Sequence, residues 1–200
     1  MKPLSETTIF VSIAAYRDPQ LPLTVASLFA QAEHPERVFV GVFNQIHLQD
    51  DQDCVAPDRP NLLQHLLDYN EAQGACWARG YVWNKLLGEQ DFALQIDSHS
   101  RFAPNWDTSV LQMHADIGDE QAVITHYPMG FDTETGVLDA QMYTYFNVQS
   151  FRATQLPEVT SGAVDVQAAP KRCAQTAFVA AGSLFGRGAM FKQVPYDPFI

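Results

Sequence analysis

Three short apolar runs set the architecture of this 200-residue chain: residues 8–14 (TIFVSIA), 37–43 (RVFVGVF) and 92–96 (FALQI). Each is rich in β-branched and aromatic residues, and each has the length of a strand buried on both faces. Helical spacing fills the intervals. Leu21, Val25, Leu28, Phe29 and Ala32 recur every three or four residues. Asp18-Pro19 and Pro22 suit the start of that helix, with Asp18 at a capping position, and His34-Pro35 ends it. Residues 75–87, carrying Trp77, Tyr81 and Leu87, predict a stronger helix, and residues 108–117 another. Leu62, Leu63, Leu66, Leu67 and Tyr69 predict a short amphipathic helix after a polar loop at 49–60. Residues 122–125 predict a further strand. Repeated strand–helix units of this kind imply an α/β domain whose mostly parallel sheet is covered on both faces.

The last third changes character. Residues 142–151 alternate aromatic and polar side chains, as a half-exposed antiparallel strand does. Residues 157–170 are small and polar and predict a mobile loop. Residues 176–185 (TAFVAAGSLF) predict a return strand near the site. The sequence stops on Val194-Pro195-Tyr196-Asp197-Pro198-Phe199-Ile200, with no polar tail, so the expectation is a single domain cut short of its natural C-terminus.

Charge narrows the partners. Twelve basic side chains against 23 acidic give a net charge of −11. Nucleic acid and anionic membrane both require a positive face, so neither is expected as a main partner. A small anion remains compatible, because a metal ion and a few arginines can build a local positive pocket. No apolar stretch approaches membrane length. Cys54, Cys76 and Cys173 form no CxxC and no even-numbered framework, which favours a reducing, cytoplasmic compartment.

The third apolar run ends abruptly in Asp97-Ser98-His99, followed by Arg101 and the pair Trp106-Asp107. Ligands of open α/β sheets collect at the carboxyl ends of the strands. A carboxylate and an imidazole two residues apart at such an end suit a borderline divalent ion such as Mn²⁺, which could hold the diphosphate of a nucleotide-sugar. The plainer alternative is that Asp97 caps a turn and His99 is a satisfied polar residue. Arg79 is charged at any working pH and can grip a diphosphate through two parallel bonds. Its alternative is a surface position on an amphipathic helix. Asp50, Asp51 and Asp53 lack the glycine and distal glutamate of a calcium loop and read as solvated. Trp77, Trp83 and Trp106 read as packing residues, with Trp106 also a candidate for lining the site. His34, His47, His65 and His114 read as ordinary, and His126 as a candidate further ligand. Arg101 either steers phosphate or pairs with an acid.

Several segments, in order along the chain, carry a resemblance. They are Phe10-Val-Ser-Ile-Ala-Ala-Tyr-Arg-Asp-Pro19, Gly41-Val-Phe-Asn-Gln45, Glu71-Ala-Gln-Gly-Ala-Cys-Trp-Ala-Arg79, Leu94-Gln-Ile-Asp-Ser-His-Ser-Arg-Phe102 and Asn105-Trp-Asp107. Weaker matches are Thr125-His-Tyr-Pro128, Ala181-Gly-Ser-Leu-Phe185 and Val194-Pro-Tyr-Asp-Pro198. With them the sequence resembles the cytoplasmic polypeptide α-N-acetylglucosaminyltransferases, relatives of the polypeptide N-acetylgalactosaminyltransferases that also use D-x-H. The resemblance implies a GT-A fold, a UDP-sugar donor (UDP-N-acetylglucosamine), a divalent cation such as Mn²⁺, and retention at the anomeric carbon. It places the nucleoside on Ala14, Tyr16, Arg17 and Asp18, with Asn44 and Gln45 over the same pocket. Arg79 and Asp97 fall toward the nucleotide, and Asp97 and His99 on the metal. Residues 8–128 would form the donor-binding part and 129–200 an incomplete acceptor part. The acceptor would be a hydroxyl, on a polypeptide. No side chain stands out as a catalytic nucleophile.

The family pattern continues past Pro198 into an acidic element and a later histidine that supplies a third metal ligand. Both fall outside this sequence, so weak donor binding and slow transfer are expected of these 200 residues. Two other readings compete. A sugar nucleotidyltransferase wants a glycine-rich basic loop after the first strand, and Ile13-Ala-Ala-Tyr-Arg-Asp18 has no glycine. A nucleotide-sugar-binding fragment without catalysis would bind the donor and transfer nothing.

Overall fold

The computed structural model describes residues 2–139, 142–155, 157–165, 167, 173–176 and 178–197. In chain order the elements are β1 (Ile9–Tyr16), α1 (Leu21–Ala30), β2 (Val38–Ile46), β3 (Leu62–Asp68), α2 (Ala75–Tyr81) and β4 (Phe92–Asp97). There follow α3 (Trp106–Ile117), β5 (Ile124–Thr125), β6 (Met142–Phe151), β7 (Pro157–Asp165), β8 (Ser183–Arg187) and α4 (Gly188–Gln193). Six strands form one sheet in the order β3-β2-β1-β4-β8-β5. The first four are mutually parallel; β8 runs antiparallel to both β4 and β5. Strands β6 and β7 make a separate antiparallel pair.

Alternation within the strands builds two cores. Ile9, Val11, Ile13 and Ala15 of β1, with Val38, Val40 and Val42 of β2 and Phe92, Leu94 and Ile96 of β4, face α1 and α3. Phe10, Phe43 and Ala93 point the other way, against Ala78, Val82 and Trp83 of the α2 region and Phe191 of α4. Successive side chains of a strand point to opposite faces, so a run that is apolar at every position needs a helix layer on each side. Each such side chain, once buried, stabilises the fold by about 1.5–3 kcal/mol. Gly41 belongs to this packing: a Cβ there would run into the Phe10 ring.

The connections create the crevice. From β1 the chain passes through α1 on one face to β2; from β3 it returns through α2 on the other face to β4. The sheet therefore grows in opposite directions from β1, and a gap opens at the carboxyl ends of β1 and β4, where open α/β sheets bind ligands. Ala14 and Asp97 are register partners at that edge.

Two expectations are corrected. Residues 62–69 do not form a helix. Leu62–Asp68 is an edge strand parallel to β2, with Val40 opposite Leu62 and Ile46 opposite Asp68. Leucine favours helix intrinsically, but seven residues between turns gain more from completing the sheet beside β2 than from an isolated short helix. Residues 157–165 are not loop: Pro157–Asp165 pairs with β6 along its length. Val159, Thr160 and Val164 supply the β-branched content that the small residues around them masked. Of the expected loop, 166 and 168–170 lie outside the described residues. Boundaries also move. The strand expected at 176–185 is Ser183–Arg187, and Ala177 lies outside the described residues. The helix expected at 75–87 is Ala75–Tyr81 followed by a wider turn over Val82–Leu86, closed by Leu87 N–H on the Val82 carbonyl. Among the described residues no helix is long and apolar enough to cross a membrane.

Candidate functional site

An open cleft of about 430 Å³ lies over the carboxyl ends of β1 and β4. Ala14, Tyr16, Arg17 and Asp18 line it from β1 and the following turn, Arg79 from α2, and Asp97, Ser98 and His99 from the end of β4. The structure thus brings seven of the eight expected site residues to one place. Asn44 is the exception. It is fully buried in β2, and its amide donates to the Cys54 carbonyl at 2.8 Å. Gln45 is buried as well and donates to the Ala15 carbonyl at 3.0 Å. Both residues shape the floor behind the cleft without lining it.

Two carboxylates organise the opening. Asp97 receives Arg79 Nη2 on Oδ1 at 2.9 Å; the arginine side chain is 16% exposed and the aspartate 39%. One oxygen of Asp97 is thereby fixed while the carboxylate still faces solvent. Asp18 is a hub. Its Oδ1 accepts the Gln20 N–H at 2.9 Å, and its Oδ2 accepts Ser98 Oγ at 2.5 Å and faces His99 Nδ1 at 2.8 Å. Burial alone would push the Asp18 carboxyl up, but bonds from Ser98, His99 and the Gln20 N–H outweigh it and hold it below its ordinary value. With Nδ1 engaged by Asp18, His99 turns Nε2 outward on a side chain that is 61% exposed. A carboxylate behind one ring nitrogen commonly orients a histidine for a metal at the other. Among the described residues, however, no group of three His, Cys, Asp or Glu side chains is placed to hold an ion by itself.

The turn after β1 is held in an unusual shape. Arg17 adopts φ +48°, uncommon outside glycine, and its N–H donates to the Gln45 carbonyl at 2.9 Å. Its guanidinium bonds Asp51 at 2.7 and 3.1 Å and lies over the Tyr69 ring, 4.7 Å from the centroid. Asp51 also accepts the His47 N–H at 2.9 Å. Asp51 is therefore an anchor for the Arg17 side chain rather than a merely solvated acid, although it is not among the residues lining the cleft. Its arginine partner is seen only in three dimensions.

The turn that carries Ser98 and His99 is tied to α1. Buried Thr24 donates to the Ser98 carbonyl at 2.6 Å and accepts the Ser100 N–H at 3.0 Å. Ser27 Oγ accepts the Phe102 N–H at 3.0 Å. Trp106 and Asp107 serve packing. The indole donates to the Leu28 carbonyl at 2.8 Å, and the buried carboxylate accepts the Glu33 and His34 N–H groups at 2.8 and 2.9 Å. Arg101 donates to Gln20 and to the Ser100 carbonyl and covers the Phe131 ring at 4.4 Å, so among the described residues its hydrogen bonds do not go to an acid. His126 meets Ser183 Oγ at 3.0 Å and is not among the residues lining the cleft. Sequence reasoning passed over Thr24, Ser98 and Asp51. For Thr24 a signal existed: a hydroxyl on the apolar face of α1, beside Leu21, Val25 and Leu28, must find a partner when buried. Ser98 and Asp51 gave no such signal.

A family model for glycosyltransferases, described as Glycosyltransferase (GlcNAc), matches residues 8–65 and 58–200. No curated protein sequence matches the chain. Among solved structures, S. aureus TarS 1–349 is similar at a TM-score of 0.54 and 14% identity, over 94% of this chain and 49% of that one. The 4-diphosphocytidyl-2C-methyl-D-erythritol synthase of Anaerococcus prevotii DSM 20548 is similar at 0.50 and 9% identity, over 95% and 74%. S. aureus TarS 1–349 in complex with UDP-GlcNAc matches at 0.48 and 15% identity, over 68% and 38%. At these identities the likenesses concern the fold, which is the α/β arrangement of GT-A glycosyltransferases. The chain spans half or less of the TarS chains.

Two outcomes follow from the anchoring. Thr24→Val keeps the shape but leaves the Ser98 carbonyl and the Ser100 N–H unpaired, so urea denaturation should show a loss of about 1–3 kcal/mol. Because the Asp18 carboxyl is held below its ordinary 3.8, its contribution to stability is full above that value and fades as pH falls through the lower folded value. Denaturation at about pH 5 and about pH 3 should therefore show a smaller acid loss for Asp18→Asn than for the wild type.

Proposed function

This chain belongs to the glycosyltransferase (GlcNAc) family, and we propose that its cleft binds a UDP-sugar, with UDP-N-acetylglucosamine the expected donor, and passes the sugar to a hydroxyl acceptor. The observation that carries this reading is the meeting of Arg79, Asp97 and His99 at the edge where β1 and β4 lie side by side. A cation fork and a metal-type donor pair at one point match a diphosphate better than any neutral ligand. Tyr16, 55% exposed on the cleft wall, offers a ring against which a flat base can stack. Arg79 directs Nη2 at Asp97, and its remaining N–H donors suit phosphate oxygens.

The donor set fits a divalent ion in part. Asp97 offers an exposed carboxylate and His99 an outward Nε2 steadied by Asp18, and donor oxygens and water would complete the shell. Such an ion, Mn²⁺ in the expected case, would supply positive charge against the departing diphosphate. The protein's own share is position and charge. Arg79 holds the diphosphate, the Ala14–Asp18 turn holds the nucleoside, and Asp18 keeps the His99 ring in place.

Retention is what the sequence resemblance implies, and for a retaining transfer the state of the lining carboxylates bears on the route. Asp18 and Asp97, its lining carboxylates, are both engaged by donors, Asp18 by Ser98, His99 and Gln20 and Asp97 by Arg79. Neither is free to attack the anomeric carbon as a nucleophile. Attack from the face of the leaving group, with the leaving phosphate taking the acceptor's proton, needs no such residue. A polypeptide acceptor rests on the sequence resemblance, and a cytoplasmic location on the free state of Cys54, Cys76 and Cys173.

Calorimetry tests the reading. Asp97→Ala should stay folded and lose Mn²⁺-dependent UDP binding; a folded variant with unchanged UDP affinity would sink the assignment. Arg79→Ala should weaken UDP by about 1.5–3 kcal/mol while leaving uridine nearly unaffected, since the lost partner is phosphate. Equal weakening of both ligands would make Arg79 a packing residue.

A further inference from the structure

Asp97 is bounded on two sides. Arg79 takes Oδ1, and Gly182 lies beside Oδ2. A Cβ at position 182 would sit 2.6 Å from Oδ2 and 3.4 Å from Cγ. The carboxylate has room there only because Gly182 carries no side chain, and the glycine can bound it only if its turn is itself fixed. The turn Ala180–Ser183 is fixed at both ends. Toward the sheet edge, Thr125 Oγ1 accepts the Ala180 N–H at 2.8 Å and donates to the Ser183 carbonyl at 2.8 Å. Toward β4, the Gln95 amide donates to the Ala181 carbonyl at 2.8 Å.

Gln95 is fully buried, on the same face of β4 as Asp97 and two residues before it. Its orientation is set by Tyr196, whose hydroxyl lies 2.9 Å from Nε2 and 3.1 Å from Oε1. The Tyr196 ring is seated independently, tilted against Trp83 with centroids 4.5 Å apart. A tyrosine beyond α4 thus reaches a carboxylate on β4 through a buried amide, the Ala181 carbonyl and the Gly182 backbone.

We infer that Tyr196 is a positioning residue for Asp97, acting through Gln95 and the Ala181–Gly182 turn to fix the carboxylate on which donor and cation binding depend. This rests on the reading of Asp97 as part of the donor site. A packing role for Tyr196 alone would leave a different trace, because the ring and not the hydroxyl meets Trp83. Partners behind a metal ligand typically change affinity by about tenfold or more when lost.

The test uses the 200-residue chain, with Tyr196→Phe, which keeps the ring, and Gly182→Ala, which sets a methyl against Oδ2 without touching Gln95. Mn²⁺ affinity is read from the paramagnetic resonance of the free ion, with UDP at one fixed concentration in every sample, and Tm is read alongside. Both variants should bind Mn²⁺ about tenfold more weakly, with uridine affinity retained. In Tyr196→Phe the ¹⁵N signals of the Arg79 side chain should shift even without metal, because its partner carboxylate has moved. The inference is overturned if both variants fold and bind Mn²⁺ within about twofold of wild type while Asp97→Ala loses it. It is also overturned if Tm falls but Mn²⁺ affinity and the Arg79 signals stay put, which is the trace of packing. A wild-type chain that binds no Mn²⁺ with UDP present defeats the donor-site reading itself, and this inference with it.

Discussion

The Asp18 carboxylate joins the turn after β1 to the end of β4, the two segments that supply most of the cleft's lining. One oxygen accepts the Gln20 N–H within that turn; the other gathers Ser98 and His99 from the end of β4. The strand pairing of β1 and β4 brings these segments within reach, and Asp18 turns proximity into a defined shape. Without that carboxylate, Ser98 Oγ and the His99 ring would lose the partner that orients them. The parallel sheet supplies the coarse placement, and a few charge-assisted bonds at its edge supply the fine one.

Much of this was legible in the sequence, for physical reasons. Runs such as TIFVSIA are apolar on both faces of a strand, which few structures other than a doubly covered strand can bury. D-x-H falls at the end of β4 and Arg79 on α2, and all three side chains line the one cleft. What stayed hidden depends on distant partners. Leu62–Asp68 became a strand because β2 offered it an open edge. Asn44, two positions from the end of β2, turned inward to the Cys54 carbonyl, and only strand register decides which face a residue takes. Asp51 anchors Arg17, which reaches it across 34 positions of sequence.

The fold does not choose the chemistry. The same layered α/β arrangement is shared with S. aureus TarS and with the Anaerococcus prevotii synthase, at similar TM-scores. The difference has to lie in the turn after β1 and in the end of β4. Here that turn carries Tyr16, Arg17 and Asp18 and no glycine, and Arg17 is already committed to Asp51 and Tyr69. In the function proposed above, a nucleoside would lie on this turn, with its diphosphate beside Arg79 and Asp97.

The most direct test is crystallographic: crystals of the protein soaked with UDP and Mn²⁺, with the anomalous signal of manganese locating the ion. The account predicts one manganese peak touching both Asp97 and His99, the diphosphate between that ion and Arg79, and the uracil beside Tyr16. A nucleotide bound elsewhere on the molecule, or an ion in the cleft that touches neither Asp97 nor His99, would contradict it.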